Sequence, residues 1–462
     1  MRRGLLLALL LVLAGCGGSG GGGGSSSDDA SGIVPRNALA YVSIDTDFSS
    51  SQLKSATDIV DKFPIKDRAL RELKRSIRDA GVDIDAIKRS VGPVVDVAVL
   101  NVGGSYGYVG FTQPTDEKAF DAQLDTGTSP TLHTKVSGWT VFADEQKFLD
   151  AVKQREGDLS DQATYTAALD TLPADAIARA YVSPAAIHQA ISLSGTGQAL
   201  PLNAQGAQWA AAALSSASGA MKLEVHAKGI AQNTVQQTSE LAGQIPAGSI
   251  VALDLVGGAS LGGQNRQALE QAQSFIGIDL VGIVDALGSD TIAYVKAGLP
   301  IPEVTIASKP KNVQRSLTAV GDLIKKLAPG TGSVTKVEVD GVELTKADLG
   351  SVAIFYGAFG GELVVSDSQN AVSELRAKGD KLIHDDSVFS QAKDGAGLPD
   401  VSEGFFYVNL KDAVPAAEGL AQLANRKIPQ EVEDNLRPLR SLLVFGSRDG
   451  DLQSFVAFVQ TS

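Results

Sequence analysis

The sequence predicts an α+β fold with antiparallel sheets, arranged as two tandem pseudo-equivalent copies. Strand-like runs are joined by the turn signals Gly103-Gly104, Ser137-Gly138 and Asp449-Gly450, which are typical of β-hairpins. Segments whose apolar residues recur at helical spacing lie between these hairpins. Four segments of the first half also recur, in the same order, in the second half. Hairpins that alternate with helices favour an α+β fold over a doubly wound parallel sheet.

The recurring segments align without gaps. The run GVDIDAIKRSVGPVVDVAV from Gly81 matches GIDLVGIVDALGSDTIAYV from Gly277. The other three pairs begin at Val34 and Ile245, at Thr140 and Leu363, and at Leu172 and Leu398. We therefore expect a first copy over residues 33–232 and a second over residues 244–462.

Individual elements follow from local patterns. In the first copy, strands are expected over residues 38–45, 94–102, 106–112, 132–136 and 139–143, and helices over 70–77, 115–124 and from Asp144. In the second copy, strands are expected over 303–307, 334–339 and 362–365, and a helix over 313–327. The alanine-rich run 211–216 looks helical by itself. It is predicted to form a strand with 221–227, because the counterparts 442–446 and 452–459 flank Asp449-Gly450.

The first fifteen residues have the pattern of a secretory signal. Arg2 and Arg3 precede an apolar run over residues 5–13, which is shorter than the roughly 20 residues of a membrane span. The tetrapeptide Leu13-Ala14-Gly15-Cys16 resembles the bacterial lipobox. That resemblance implies lipidation of the Cys16 thiol, cleavage between Gly15 and Cys16, and attachment to the extracytoplasmic face of the cell membrane. The alternatives are a plain secretory signal with a chance cysteine and twin-arginine export, for which no further pattern follows.

Residues 16–32 are rich in glycine and serine and are expected to form a flexible tether. Glycine and serine offer little side chain to bury, so such a run behaves as a coil with a reach of roughly 20 Å. Two acyl chains on one cysteine would anchor it stably, whereas a single chain is marginal.

Composition restricts the classes of function. The formal net charge of −13 argues against a general nucleic-acid binder, which needs a basic face. Cys16 is the only cysteine, so the folded body has no disulfide, no thiolate metal site and no cysteine nucleophile. Hydrophobic residues make up 44% of the chain, which is enough for a substantial core.

The sequence contains no pattern typical of a catalytic site. The chain has no HExxH, no G-x-S-x-G and no phosphate-binding loop, and no two of its histidines share helical metal spacing. Those histidines are His133, His188, His226 and His384. We expect no catalytic residue, no cofactor and no metal site.

Three weaker patterns are interpreted structurally. His384-Asp385-Asp386 is expected to be a polar loop with an aspartate at a helix N-cap rather than a metal site. The S-x-x-K match from Ser51 to Lys54 involves only two defining residues and lacks its partner motifs. The carboxylate pairs Asp45 with Asp47 and Asp83 with Asp85 lack the further oxygens of a calcium loop.

A basic cluster stands out in the acidic body. Its members are Lys62, Lys66, Arg68, Arg71, Lys74, Arg75, Arg78, Lys88 and Arg89, diluted by Asp67, Glu72 and Asp79. We interpret it as a solvated helix face. The alternative is a patch that lies near anionic lipid or wall polymer.

The whole plan resembles a family of predicted actinobacterial lipoproteins catalogued as a domain of unknown function. The resemblance rests on the lipobox, the glycine-rich stalk, the opening Pro-x-Asn-Ala or Pro-x-Gly-Ser before a strand, and the helix after FADEQ and VSDSQ. The family implies no assigned activity and no functional residue.

Two hypotheses about function follow. The first is a non-enzymatic envelope module that binds an apolar ligand or an envelope protein partner, for instance in a groove between the two copies. The second is an envelope hydrolase whose catalytic residues are dispersed in sequence, because triads are recognised by geometry rather than by order. Convergence of a histidine with hydroxyl and acidic side chains would distinguish the second hypothesis from the first.

Overall fold

The computed structural model describes residues 29–79, 84–125, 131–193, 206–229, 238–256, 287–298, 301–327, 333–350, 352–377 and 381–462. The chain divides into two compact units. The first runs to Ala231 and includes Asp451–Ser454 and Thr461–Ser462, and the second comprises Gln232–Gly450 and Phe455–Gln460. Gly15 and Cys16, like Gly81, Asp83 and Gly277, lie outside the described residues. Among the helices that are described, none is long and apolar enough to cross a membrane.

The first unit contains eight strands and, among its described residues, seven α-helices. The strands are β1 (Ala40–Asp45), β2 (Val94–Val102), β3 (Ser105–Thr112), β4 (Leu132–Val136), β5 (Trp139–Ala143), β6 (Ala178–Val182), β7 (Trp209–Ala217) and β8 (Ala220–Lys228). The helices are α1 (Ser51–Val60), α2 (Lys66–Asp79), α3 (Ile84–Ser90), α4 (Glu117–Leu124), α5 (Gln146–Lys153), α6 (Ala163–Leu169) and α7 (Pro184–Leu193). Short 3-10 helices span Ala30–Gly32 and Leu159–Asp161.

The strands of the first unit form one antiparallel sheet in the order β4-β5-β3-β2-β1-β6-β7-β8. One face of this sheet carries the hydrophobic core. Tyr41 lies opposite Tyr181 across the β1–β6 pair, and the ring of Tyr165 from α6 packs edge-on against both. Phe148 of α5 is buried in the same core.

The second unit begins with the 3-10 helix Ala242–Gln244. Its strands are β9 (Ser249–Val256), β10 (Asp290–Lys296), β11 (Glu303–Ser308), β12 (Val334–Val339), β13 (Val342–Asp348), β14 (Ala353–Phe359), β15 (Glu362–Ser366), β16 (Gly404–Val408) and β17 (Leu439–Asp449). Within its described residues, the helices are α8 (Val313–Leu327), α9 (Gln369–Ala377), α10 (Ser387–Ala396), α11 (Leu410–Leu423) and α12 (Gln430–Leu436), with a 3-10 helix over Ile383–Asp385. The last strand is β18 (Leu452–Thr461), whose residues are divided between the two units.

Strands β9 to β17 form a second antiparallel sheet in the order β12-β13-β14-β15-β11-β10-β9-β16-β17. Its core face buries Tyr294, Val364 and Leu443. The ring of Phe389 from α10 packs edge-on against Tyr407, with the ring centroids 5.0 Å apart. Helix α9 adds Val372, which is also buried.

The α+β class and the antiparallel pairing predicted from the sequence are confirmed. The alanine-rich run is indeed a strand, within β7. Two expectations were incomplete. Strands β6, β14 and β16 are among those not predicted, and the last residues of the expected tether are folded: Ala30–Gly32 form a 3-10 helix in which Ala30 and Ser31 are buried. Burial of Ala30 against the sheet, together with a backbone hydrogen bond to Asp96, overrides the local preference of Gly and Ser for coil.

Candidate functional site

The face of the second sheet that lies opposite its core is also apolar. Along β9 the buried Ala252 and Asp254 alternate with the half-buried Val251, Leu253 and Leu255. Where one face of an antiparallel sheet is solvated, polar residues normally alternate with apolar ones. Here both faces carry aliphatic side chains in the central strands. The second face is therefore an exception that needs an explanation.

We call this surface the apolar face of the second unit. One row across the sheet contains Val365, Ile306, Ala293, Leu253, Phe406 and Val444. The adjacent row contains Val304, Val295, Val251, Val408 and Leu442. All of these residues are half-buried or exposed; Val304 is 44% exposed and Phe406 is 38% exposed. Eleven apolar side chains thus form one contiguous, partly open surface.

Helix α8 covers one end of this face. Tyr356 of β14 lies opposite Val365 and therefore belongs to the same face. A Cβ atom on Gly321 of α8 would lie 3.2 Å from the Tyr356 hydroxyl oxygen, so helix and strand are in close contact there. The exposed fractions of Val304 and Phe406 show that the face stays accessible away from α8.

The first unit has a comparable surface, which two of its helices partly cover. A row of small apolar residues crosses its sheet and contains Gly110, Val97, Val42, Ala180, Ala212 and Val225. Ile187 of α7 packs over one end, beside Val182 and Ala227. Phe120 of α4 packs over another, beside Phe142. A shallow pocket remains, and it is lined by Val97, Tyr108, Gly110, Thr131, Phe142, Ala143 and Asp144.

A buried carboxyl group occupies the core side of each sheet. Asp96 of β2 is fully buried, and its Oδ2 atom accepts a 2.7 Å hydrogen bond from the backbone N–H of Ala30. Burial, with a smaller contribution from the charge of Asp29, raises the pKa of Asp96 to about 7, although hydrogen bonds from Ser43 and Ala30 oppose the shift. Asp96 therefore holds the N-terminal segment of the unit onto the sheet.

In the second unit, burial raises the pKa of Asp254 to about 6. A hydrogen bond with Ser239 lowers it and the charge of Asp290 raises it. The hydroxyl of Ser239 also donates to Asp290 at 2.9 Å. Both buried carboxyl groups thus lie beside the chain segment that enters their unit, which points to a structural role rather than to catalysis.

The histidines do not assemble a catalytic set in the described part of the chain. His133 has its Nε2 atom 3.8 Å from Asp121 Oδ1, and its Nδ1 atom is 3.5 Å from the carbonyl oxygen of Thr131. Burial lowers the pKa of His226. The ring of His384 lies against Phe389. In residues that the structure describes, no histidine ring nitrogen is hydrogen-bonded to a serine or threonine hydroxyl, as a Ser-His-Asp triad requires.

The weaker sequence patterns have structural roles. Asp386 caps α10 by accepting hydrogen bonds from the backbone N–H groups of Val388 and Phe389, which confirms the predicted N-cap. Asp45 accepts a 2.8 Å hydrogen bond from the backbone N–H of Asp47, as expected for a turn after a strand. Within the described ranges, no group of three or more His, Asp or Glu side chains is arranged to hold a metal ion.

The lysine of the S-x-x-K match, Lys54, is exposed, and Ser51 lies within 3.3 Å of the carboxylate of Asp175.

No family model matches the chain, and no curated protein matches it.

Sequence reasoning did not identify the apolar face of the second unit, although a signal for it exists. The strands β9 and β16 read SIVALDLV and GFFYV. Such nearly continuous apolar runs are typical of strands covered on both faces.

Proposed function

We propose that the protein is a lipid-anchored, extracytoplasmic, non-enzymatic module that binds an apolar ligand on the apolar face of its second unit. The observation that carries this proposal is the contiguous surface of aliphatic and aromatic side chains across β15, β11, β10, β9, β16 and β17, with Phe406 and Val304 partly exposed. Contiguous apolar patches beyond a few hundred Å² are uncommon on soluble proteins and mark binding sites.

The free energy available from covering this face favours binding. Removing apolar surface from water contributes roughly 25 cal/mol per Å². A ligand that covers a few hundred Å² of the face would gain several kcal/mol, before the cost of immobilising the ligand is subtracted. The face bears no charged side chain among its eleven members, so an apolar chain or ring could lie on it without desolvating a charge.

We also infer that the two units arose by tandem duplication. The strand order β5-β3-β2-β1-β6-β7 in the first unit corresponds to β15-β11-β10-β9-β16-β17 in the second. In the ungapped alignments of these segments, Tyr41 corresponds to Ala252 and Tyr181 corresponds to Tyr407. Tyr41 lies opposite Tyr181, and Ala252 lies opposite Tyr407.

A second relationship supports the duplication. The carbonyl oxygen of Val34 accepts a 2.8 Å hydrogen bond from Leu159 N–H, and that of Ile245 accepts one of 2.8 Å from Ile383 N–H. Val34 and Ile245 are the aligned openings of the two copies. The second unit differs by the additional strands β12 and β13, so the copies have diverged by insertion. We propose membership of the actinobacterial lipoprotein family on the sequence motifs alone.

Binding is tested on the mature chain purified from its native envelope. Mass spectrometry of the organic extract should detect a co-purified apolar molecule, and a fluorescent fatty acid should bind saturably to the delipidated protein. A polar substitution on the face, Val304→Gln, should weaken probe binding several-fold. Val432→Gln is the matched control, because Val432 lies on α12 and is 45% exposed against 44% for Val304.

Two results would contradict the proposal. One is an empty extract together with the absence of saturable probe binding. The other is equal probe affinity of the Val304→Gln and Val432→Gln variants, which would assign the binding to another part of the surface. Capture of a protein partner that depends on Val304, without any probe binding, would favour a docking face for a protein instead.

A further inference from the structure

The basic cluster of the first unit contains lysines that contact other parts of the unit and exposed arginines on α2. Three of its lysines contact other parts of the unit. Lys62 donates through Nζ to the hydroxyl of Thr461 at 2.9 Å and to the carbonyl of Ser462. Lys66 pairs with Asp61 at 2.6 Å, and the ammonium of Lys88 lies 5.0 Å from the centre of the Phe48 ring. These lysines stabilise the unit itself.

Three arginines of α2 share one side of that helix. Arg68, Arg71 and Arg75 are all exposed and follow one another at intervals of three and four residues. An α-helix turns by about 100° per residue, so the three fall within an arc of about 60°. The acidic residues Asp67, Glu72 and Asp79 of the same helix lie beside this arc rather than within it. We call Arg68, Arg71 and Arg75 the arginine row.

We propose that the arginine row binds the phosphate groups of an anionic bilayer surface. The guanidinium fork matches phosphate oxygens in a bidentate geometry, which a lysine ammonium cannot provide. The row is positively charged on a chain whose formal net charge is −13. An anionic membrane is therefore attracted to this helix rather than to the protein as a whole. Clustered basic residues near anionic lipids act additively.

This inference goes beyond ligand binding and does not depend on it. A flexible tether alone would leave the first unit free to take any orientation at the membrane. A second, weak contact on the same body becomes effectively intramolecular once the tether is attached. The arginine row would therefore orient the first unit with α2 toward the bilayer.

The test uses the chain from residue 16 onward with Cys16→Ser, so that no acyl chain contributes to binding. Vesicles of phosphatidylcholine with about one third phosphatidylglycerol are titrated in a sedimentation assay, at low and at physiological salt. We expect binding that weakens with salt and is absent with pure phosphatidylcholine. The triple variant Arg68→Gln, Arg71→Gln, Arg75→Gln should lose at least about tenfold in partitioning.

The matched control removes the same charge elsewhere. Lys411, Arg426 and Lys427 are exposed on or beside α11, and the triple glutamine variant at these positions should bind as the parent does. The proposal is overturned if the control loses as much binding as the row variant, or if the row variant binds unchanged. It is also overturned if the row is needed for binding an isolated anionic wall polymer but not for binding vesicles. Thermal unfolding of each variant checks that the fold is retained.

Discussion

Asp96 and Ala30 are joined by a hydrogen bond from the backbone N–H of Ala30 to Asp96 Oδ2, across 66 residues of sequence. Both residues are buried, at 0% and 1% exposure. The N-terminal segment of the first unit thus passes through the hydrophobic core and not over the surface. Any tether that precedes Asp29 ends at this point, which is held by a carboxyl group with a raised pKa.

Asp96→Asn should change how stability depends on pH. The pKa of Asp96 is raised from 3.8 to about 7 in the folded chain, so the folded state holds the proton more tightly than the unfolded state. The stability that this group contributes is complete below about pH 4 and is lost as the pH rises to about 7. Asparagine cannot ionise. The stability of the variant relative to the parent should therefore rise across this range, by about 4 kcal/mol at most.

Thermal unfolding at several pH values between 4 and 8 measures this difference. The control is Asp322→Asn on α8, which removes the same charge from a largely exposed carboxylate. A constant difference between the Asp96→Asn variant and the parent across the pH range would mean that the Asp96 carboxyl is not buried as described.

Gly92→Ala and Gly288→Ala should each destabilise their unit. A Cβ atom at Gly92 would lie 2.1 Å from the carbonyl oxygen of Gln113, and one at Gly288 would lie 2.7 Å from that of Lys309. Gly288 also has a φ of 86°, which disfavours a side chain. We expect losses of about 2 kcal/mol or more, because backbone must move to make room. Differential scanning calorimetry measures the effect.

Gly32→Ala and Gly243→Ala are the controls for these two substitutions. A Cβ atom at either position has no heavy atom within 4 Å, so the melting temperature should change little. If all four variants melt alike, the close approach of the glycine loops to Gln113 and Lys309 is not a constraint on the fold.

Phe405→Ala should mainly lower stability, whereas Phe406→Ala should mainly weaken binding. Phe405 is 7% exposed and packs against Phe389 at 5.5 Å, so its truncation should cost about 3 kcal/mol. Phe406 lies on the apolar face at 38% exposure. Its truncation should cost less than about 1 kcal/mol but weaken binding of a fluorescent fatty acid several-fold. Urea unfolding and probe titration on both variants separate the two roles.

Cys16→Ser should release the protein from the membrane fraction or leave the precursor uncleaved, because serine offers no thiol for lipidation. Fractionation of cells that produce the variant, followed by immunoblotting, measures this. Arg2→Lys is a suitable control, since it preserves the positive charge before the apolar run. A membrane-bound, normally processed Cys16→Ser protein would exclude lipid anchoring through this residue.

The local structure was largely predictable. Turn pairs such as Ser137-Gly138 join β4 and β5, where Ser137 and Gly138 both have positive φ values. Asp116 caps α4 by accepting from the N–H of Ala119, within two residues of the predicted helix start. These features depend on residues close together in the chain, so the sequence contains the information that specifies them. Strand β14 was missed although Gly360-Gly361 joins it to β15, a turn pair of the same kind as Gly103-Gly104.

By itself, the sequence determined the class of fold, the positions of most hairpins, the helix cap at Asp386, and the absence of cysteine chemistry from the body. Only the tertiary structure decided that Asp96 is buried, that Ala30 belongs to the core, and that Phe406 and Val304 share one open face. Burial and strand neighbours depend on segments far apart in the chain, such as β9 beside β16, about 150 residues later. A hydrophobic residue in a strand has the same local pattern whether its face is covered or open. The contacts of the folded chain alone distinguish a second core from a binding surface.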